Sequence, residues 1–496
     1  KLDELGVHFI EGGFPGSNPK EDEYFFRARA LNLNNSKLVA FGSTRRANVE
    51  VEKDTQLKAL LAAETEFITI VGKSWDLHVT QILETTLEEN LLMVSESIAY
   101  LCKKERRVFF DAEHFFDGFN ENPEYALEVV KTAWGAGAES VVLCDTNGGN
   151  LPHQIASIVQ RVKLETGATL GIHAHNDAEV AVANSLVAFD SGVEQIQGTI
   201  NGYGERCGNA NLLSIIANLK LKLGIDCITD DQLTRLQDIH LSVSEMVNMP
   251  PLGYQPYVGL SAFSHKGGLH ASAVLKLEKS YQHVDPQSVG NSNRIVVSEL
   301  AGRGNLNFKL EEFGLAKHFT GDQVANLVNH IKELENKGYQ FEGAEASLEV
   351  LIRKNLPEYK APFELVDFLV VIEKRRRDSI GQGDDNQLLS EASVKVRVGT
   401  TVLHTVAEGN GPVNALDQAL RKAILQFYPN LEVVQLNDYK VRVVNSLGTE
   451  AIVRVIIDSS DKEHQWQTVG ASGNIVEASW QALADSLEFW LAKYGS

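Results

Sequence analysis

Thr169-Leu170-Gly171-Ile172-His173-Ala174-His175-Asn176-Asp177 is the stretch on which the fold turns. A short apolar run ends in two histidines two residues apart. On an extended strand residues i and i+2 point to one face, so both imidazoles leave the same side. Asn176-Asp177 marks the strand end, and closed parallel barrels collect their functional side chains at that carboxyl rim. Two imidazoles converging there suit a metal ion. A lone H-x-H is a weak motif; its position at the end of a strand gives it weight.

Outward from this stretch, residues 1 to about 225 alternate apolar runs with helical patterns. The runs fall at 7–11, 38–41, 67–71, 108–110, 140–144, 169–172 and 193–196. Between two of them, Ala126, Val129, Val130 and Ala133 recur at helical spacing before Gly137 breaks the pattern. Buried parallel strands alternating with helices predict an α/β fold. An open doubly wound sheet carries a Gly-rich phosphate turn after an early strand, and Gly12-Gly13-Phe14-Pro15-Gly16 does not fit that pattern. Seven strands are one short of a TIM (β/α)8 barrel. Lys1-Leu2-Asp3-Glu4-Leu5-Gly6 reads as the tail of a helix, so the expectation is a barrel whose first strand is absent from the given sequence.

Residues 226–360 are expected to form a helical linker region with a loop-like centre at 248–268, and residues 361–496 a separate α+β domain. The latter holds a repeat. Residues 405–420 and 468–483 align without gaps and agree at seven of sixteen positions, among them Thr405/Thr468, Val413/Val476 and Leu420/Leu483. Each copy follows β-rich sequence and opens a helix after a Gly-containing turn; Val413, Leu416 and Leu420 form one apolar stripe. Two β-β-β-α units burying each other's sheets give a pseudo-twofold module. A structural dimerisation domain and a ligand-sensing domain are equally compatible with it. Gly381-Gln382-Gly383-Asp384-Asp385-Asn386 reads as a flexible loop, and the basic run Lys374-Arg375-Arg376-Arg377 as the end of a strand beside it.

Polar residues recur at the ends of the predicted barrel strands. Glu11-Gly12-Gly13, Asp111-Ala112-Glu113-His114, Asp145-Thr146-Asn147-Gly148 and Gly202-Tyr203-Gly204-Glu205-Arg206-Cys207-Gly208-Asn209 each follow one. Any one alone reads as a cap or turn; caps alone do not explain their recurrence at the same topological end. Asn209 has a carbonyl oxygen to offer a metal, and Glu205-Arg206 a buried ion pair. His270, in Lys266-Gly267-Gly268-Leu269-His270, lies after the barrel and by itself reads as a surface histidine.

Bulk properties exclude several classes. Formal charge is −20, from 46 basic and 66 acidic residues, which disfavours nucleic acid or an anionic membrane as partner. The four cysteines, Cys102, Cys144, Cys207 and Cys227, form no C-x-x-C and suit a reducing, cytoplasmic setting. No apolar run approaches the roughly 20 residues of a membrane span.

Taken together, 11–19, 145–148, 173–177, 204–209 and 265–270 resemble the 2-isopropylmalate, homocitrate and citramalate synthases, and the C-terminal repeat looks like that family's regulatory domain. Residues 11–19 and 110–118 are most similar to the citramalate synthase branch. The resemblance implies an acyltransferase that condenses acetyl-CoA with a small 2-keto acid, pyruvate in that branch, giving (R)-citramalate on the route to isoleucine. It implies a divalent metal (Mg, Mn or Zn) on His173 and His175 with Asn209 nearby, the keto acid held by Thr146 with Glu11 and Arg206, and Glu113 and His270 as acid/base pair with Tyr281 beside them. It also implies a homodimer and feedback by isoleucine. Bulky Trp75, Phe115 and Phe116 near strand ends are expected to narrow the pocket towards pyruvate. The main departure is at the start. The family's first strand carries an Arg-Asp pair, the Asp a third metal ligand, and neither is in this sequence; a molecule starting at Lys1 is expected to turn over little or not at all. Competing readings are a 2-isopropylmalate synthase, a lyase or aldolase sharing the barrel motifs, a metal-dependent barrel hydrolase, and a non-catalytic metabolite-binding protein.

Overall fold

The alternation in the first part of the chain resolves into seven parallel strands in simple sequential order. The structure, a computed structural model, describes residues 1–297, 302–373, 389–444 and 451–495. Lys374-Arg375-Arg376-Arg377 and the Gly381–Asn386 loop fall outside the described residues. The chain divides into two units, Lys1–Phe263 with His283–Asn293, and Ser264–Gln282 with Arg294–Ser496.

The first unit begins with a helical turn, α1 (Leu2–Leu5), closed by Gly6 in the left-handed conformation, then runs β1 (Phe9–Glu11), α2 (Pro19–Ala28), β2 (Lys37–Ser43), α3 (Thr55–Ala62), β3 (Phe67–Lys73), α4 (Leu87–Lys103) and β4 (Arg107–Glu113). It continues through α5 (Phe115–Glu121), α6 (Pro123–Gly135), β5 (Ser140–Asp145), α7 (Pro152–Thr166), β6 (Leu170–Ala174), α8 (Ala181–Asp190), β7 (Gln195–Gln197) and α9 (Leu212–Leu221). Each of the seven expected runs is a strand. Several helices start at side chains suited to it: Asn18, with Pro19 following, caps α2; Asp54 caps α3; Thr86 caps α4. Beyond α9, α10 (Asp230–Leu233) and α11 (Leu236–Met246) bury Leu233, Leu236 and Ile239 against Leu213, Ile216 and Ala217 of α9.

Strand periodicity sorts the interior of this curved sheet into layers. At the amino-terminal end, Phe9, Phe67 and Phe109 pack ring on ring, with centroids 4.8 to 5.3 Å apart, beside Val39. Two residues further along the same strands stand Glu11, Thr69 and Asp111, and two further again Glu113. The bottom is therefore greasy and the rim polar. The sheet ends at β1 and β7, which do not pair with each other among the described residues. A cleft of about 760 Å³ lies between them, lined by Phe9, Ile10 and Glu11 on one side and Gln195, Ile196 and Gln197 on the other. Phe115 and Phe116 are fully buried in the layer between sheet and helices, so they do not narrow a pocket at the rim as expected. The apolar spacing of α5 turns them inward; Trp75, half-buried, donates its indole N–H to Glu121.

The second unit holds a small parallel pair, β8 (Ser264–His265) and β9 (Arg294–Ile295), with α12 (Gly268–Lys276), α13 (Arg303–Glu312), α14 (Gly321–Asn336) and α15 (Glu345–Lys354). Two antiparallel three-stranded sheets follow: β10 (Glu364–Glu373), β11 (Leu389–Val398) and β12 (Thr401–Gly409), closed by α16 (Pro412–Ile424), then β13 (Gln435–Val443), β14 (Val453–Ser460) and β15 (Gln465–Ser472), closed by α17 (Ile475–Lys493). One core serves both halves, with Val394 and Val396 of β11, Leu416 and Leu420 of α16, Val455 and Ile457 of β14 and Leu483 and Leu487 of α17. The sequence repeat is thus two β-β-β-α units sharing a core. Its threonines repeat a bond: Thr405 Oγ1 donates to the Ala419 carbonyl at 2.7 Å, and Thr468 Oγ1 to the Ala482 carbonyl at 2.7 Å.

Candidate active site at the strand ends

His173, near the end of β6, and His175, just past it, have ring centroids 5.2 Å apart. The chain returns past them. His175 forms an isolated antiparallel bridge with Asn209, the Asn176 N–H donates to the Gly208 carbonyl, and the Ala210 N–H to the Ala174 carbonyl. Backbone pairing therefore brings Asn209 beside His175. The loop is tight: Gly208 has φ +92, and a Cβ there would lie 2.0 Å from the Gly202 oxygen. His175 Nδ1 and Asn209 Oδ1 are both buried and lack a hydrogen-bond partner among the described residues. Burial first, then the neighbouring His173 and Arg206, hold the His175 imidazole neutral by lowering its pKa to about 4.

A neutral imidazole and an unpaired amide oxygen, side by side and dry, suit a divalent cation that takes nitrogen and oxygen ligands. Among the described residues no group of three His, Cys, Asp or Glu side chains is arranged to hold a metal, so the donor set here is two imidazoles and an amide.

Around this pair the rim carries charge. His173 Nδ1 lies 2.6 Å from Gln197 Oε1, and Gln197 Nε2 donates across the interior to Asp111 Oδ1 at 3.0 Å. Burial first, then the Glu11 charge, raises the Asp111 carboxyl well above the usual carboxylate range. Glu11 lines the open cleft and so touches solvent, yet protein surrounds it closely enough that burial raises its pKa too, against the pull of Thr69 and His173. Glu113 pairs with Lys73 from the end of β3. Thr146 Oγ1 accepts the His114 N–H at 2.8 Å, which leaves its own proton to donate.

Arg206 corrects the sequence reading. It pairs not with Glu205 but with Asp177, and its side chain is 40% exposed, so the ion pair is not a buried one. The left-handed backbone at Arg206 (φ 56) swings the side chain away from its sequence neighbour, and its Nη2 donates to the Thr146 carbonyl at 2.7 Å. The structure thus gathers Glu11, Glu113, Thr146, His173, His175, Arg206 and Asn209 at one rim of the first unit. His270 and Tyr281 belong to the second unit, where their rings stack 4.3 Å apart.

Sequence reasoning missed several rim features. Lys73 and Gln197 sit at strand ends but carry no motif. Trp75, His78 and His114 form a stack, with Trp75 and His78 centroids 5.0 Å apart and His78 and His114 4.2 Å apart. His78 opens a π-helical turn (His78–Ile82), and His114 has a left-handed backbone (φ 56); both are unusual conformations of the kind that cluster at functional sites.

Residues 1–243 match the HMGL-like family, residues 257–339 the homocitrate synthase post-HMGL domain-like family, and residues 342–491 the LeuA allosteric (dimerisation) domain. The chain is 54% identical to the (R)-citramalate synthase of Aquifex aeolicus, over 99% of this chain and 92% of the relative. It is 51% identical to the (R)-citramalate synthase of Geobacter sulfurreducens, over the same shares of each chain. Identity falls to 30% with the 2-isopropylmalate synthase of Methanocaldococcus jannaschii, over 99% of this chain and 89% of the relative. The chain belongs to the family of the (R)-citramalate and 2-isopropylmalate synthases.

Proposed function

We propose that this protein is an acyltransferase that condenses acetyl-CoA with pyruvate to give (R)-citramalate and CoA. The observation that carries this reading is the His173, His175 and Asn209 constellation beside Thr146 and Glu113, in a chain that stands at 54% identity to an (R)-citramalate synthase and 30% to a 2-isopropylmalate synthase.

The residues have the following tasks. Thr146 donates its hydroxyl proton to the keto-acid carboxylate while His114 holds its oxygen in place. Arg206 fixes the loop that carries Asn209. A divalent cation on His173, His175 and Asn209 supplies Lewis acidity towards a keto oxygen when bound. His270 is the base that takes a methyl proton from acetyl-CoA, as a neutral imidazole near physiological pH does well. Glu113, steadied by Lys73, is the second member of the acid/base pair, and Tyr281, stacked on His270, orders that ring. The methyl carbon bonds to the keto carbon, the keto oxygen gains a proton, and water cleaves the thioester to release CoA and a carboxylate.

The match of 342–491 to an allosteric dimerisation domain, and exposed apolar residues such as Leu369 and Val443 on the two sheets, support a homodimer whose C-terminal region binds an effector, with isoleucine as the candidate. No helix of the described residues is long and apolar enough to cross a membrane, and a cytoplasmic enzyme is the setting proposed. The test is CoA release by thiol detection with a panel of keto acids. Pyruvate should outrun 2-ketoisovalerate, and isoleucine should lower the rate; faster turnover of 2-ketoisovalerate overturns the substrate assignment, and indifference to isoleucine the effector.

A further inference from the structure

Gln197 stands between two groups that face each other across the interior of the barrel. Its amide nitrogen donates to Asp111 Oδ1 at 3.0 Å. The amide oxygen then faces His173 Nδ1 at 2.6 Å. An oxygen acceptor at that distance requires the proton to sit on Nδ1. The free lone pair of His173 is then on Nε2.

We propose that Gln197, anchored by Asp111, is a positioning residue that fixes His173 as its Nδ1–H tautomer and so presents Nε2 to a divalent cation. Three facts converge on this role. Asp111 is almost wholly buried, on β4, and its hydrogen bond runs to β7, so the relay ties together strands far apart in sequence. Beside His173, the bridged residues His175 and Asn209 have buried Nδ1 and Oδ1 atoms with no hydrogen-bond partner among the described residues, donors free for a cation. The bridging amide offers His173 Nδ1 an acceptor without placing a charge beside the donors. A histidine left to choose its tautomer would present an N–H to the cation for part of the time and bind it more weakly.

The role rests on the metal site of the proposed function, so the test reads tautomer and metal separately. The tautomer of His173 is read from histidine 15N shifts of the metal-free protein, and metal binding from Mn2+ titration followed by electron paramagnetic resonance. Gln197→Met keeps the length and removes the acceptor. It should move His173 towards the Nε2–H form and weaken Mn2+ binding by roughly 10- to 100-fold. Gln197→Glu keeps an acceptor for Nδ1–H and should hold Mn2+ affinity within about threefold of the parent. Unchanged shifts and Mn2+ affinity in Gln197→Met overturn the role and leave the metal site standing. A parent protein that shows the Nδ1–H tautomer yet binds no Mn2+ overturns the metal site, and this role with it.

Discussion

Arg206 grips Asp177 with two prongs, Nε to Oδ1 at 2.8 Å and Nη2 to Oδ2 at 2.9 Å. The same Nη2 reaches the Thr146 carbonyl, so one guanidinium joins the ends of β5 and β6 to the loop bearing Asn209. A lysine cannot reproduce the fork. Arg206→Lys should therefore loosen Asn209 and weaken Mn2+ binding by about three- to tenfold, read by titration. Equal affinity would mean that the loop holds its shape without the ion pair.

His270→Ala should collapse turnover, by roughly 100-fold or more, while leaving the affinity for keto acid nearly unchanged. Rapid-quench kinetics together with direct pyruvate binding separate the two effects. Normal turnover removes His270 from the chemistry.

Lys73→Met takes away the partner of Glu113, leaving a half-buried carboxylate at the rim without its cation. Turnover should drop by roughly 10- to 100-fold, and Lys73→Arg should restore much of it. Steady-state rates of the two variants decide the matter, and a fully active Lys73→Met variant would show the pair to be ornamental.

The matched threonines of the C-terminal repeat differ in burial: Thr468 is wholly buried and Thr405 is not. Thr468→Val should cost about 1 kcal/mol, and Thr405→Val less, because water can replace the lost partner there. Urea unfolding of the two variants checks the order.

Asp461 caps the turn between β14 and β15. Burial alone would raise its carboxyl, but the Trp490 indole, the backbone N–H groups of Glu463 and His464, and the His464 ring outweigh this and lower the pKa to about 2. A folded value below the unfolded one stabilises the protein above the ordinary aspartate range, and that contribution fades as pH falls towards 2. The gap in denaturation midpoint between the parent protein and Asp461→Asn should thus be constant from pH 7 to about 5 and shrink between about 4 and 2. A gap that does not change with pH would show the carboxylate charge to be irrelevant.

Much of this arrangement is legible in the sequence because it is periodic or local. Apolar runs of three to five residues separated by helical spacing place all seven barrel strands. The two-residue spacing of His173 and His175 puts both rings on one face. The match of Thr405 with Thr468 predicts two like units, and each makes the same bond to its helix. What escaped the sequence is contact across the barrel. Asp111 and Gln197 are 86 residues apart and meet because β4 and β7 curve to face each other, which no local pattern announces. Lys73 and Glu113 meet because parallel register aligns them on neighbouring strands. The sequence pairs Arg206 with the acid next to it in the chain, whereas its left-handed backbone goes with a pair to Asp177. Phe115 and Phe116 looked like lining because they follow a strand, whereas the helix they open points them into the core.

The unjoined borders of β1 and β7 carry a mechanical consequence. Among the described residues β1 pairs with β2 alone and β7 with β6 alone, so each turns one edge towards the cleft. Glu11 and Gln197 stand at the rim end of those two edges, so the spacing of the edges sets the distance from Glu11 to the Asp111–Gln197–His173 chain. Because the Gln197 amide bridges Asp111 on β4 to His173 on β6, the position of β7 is relayed directly to the histidine that faces the rim.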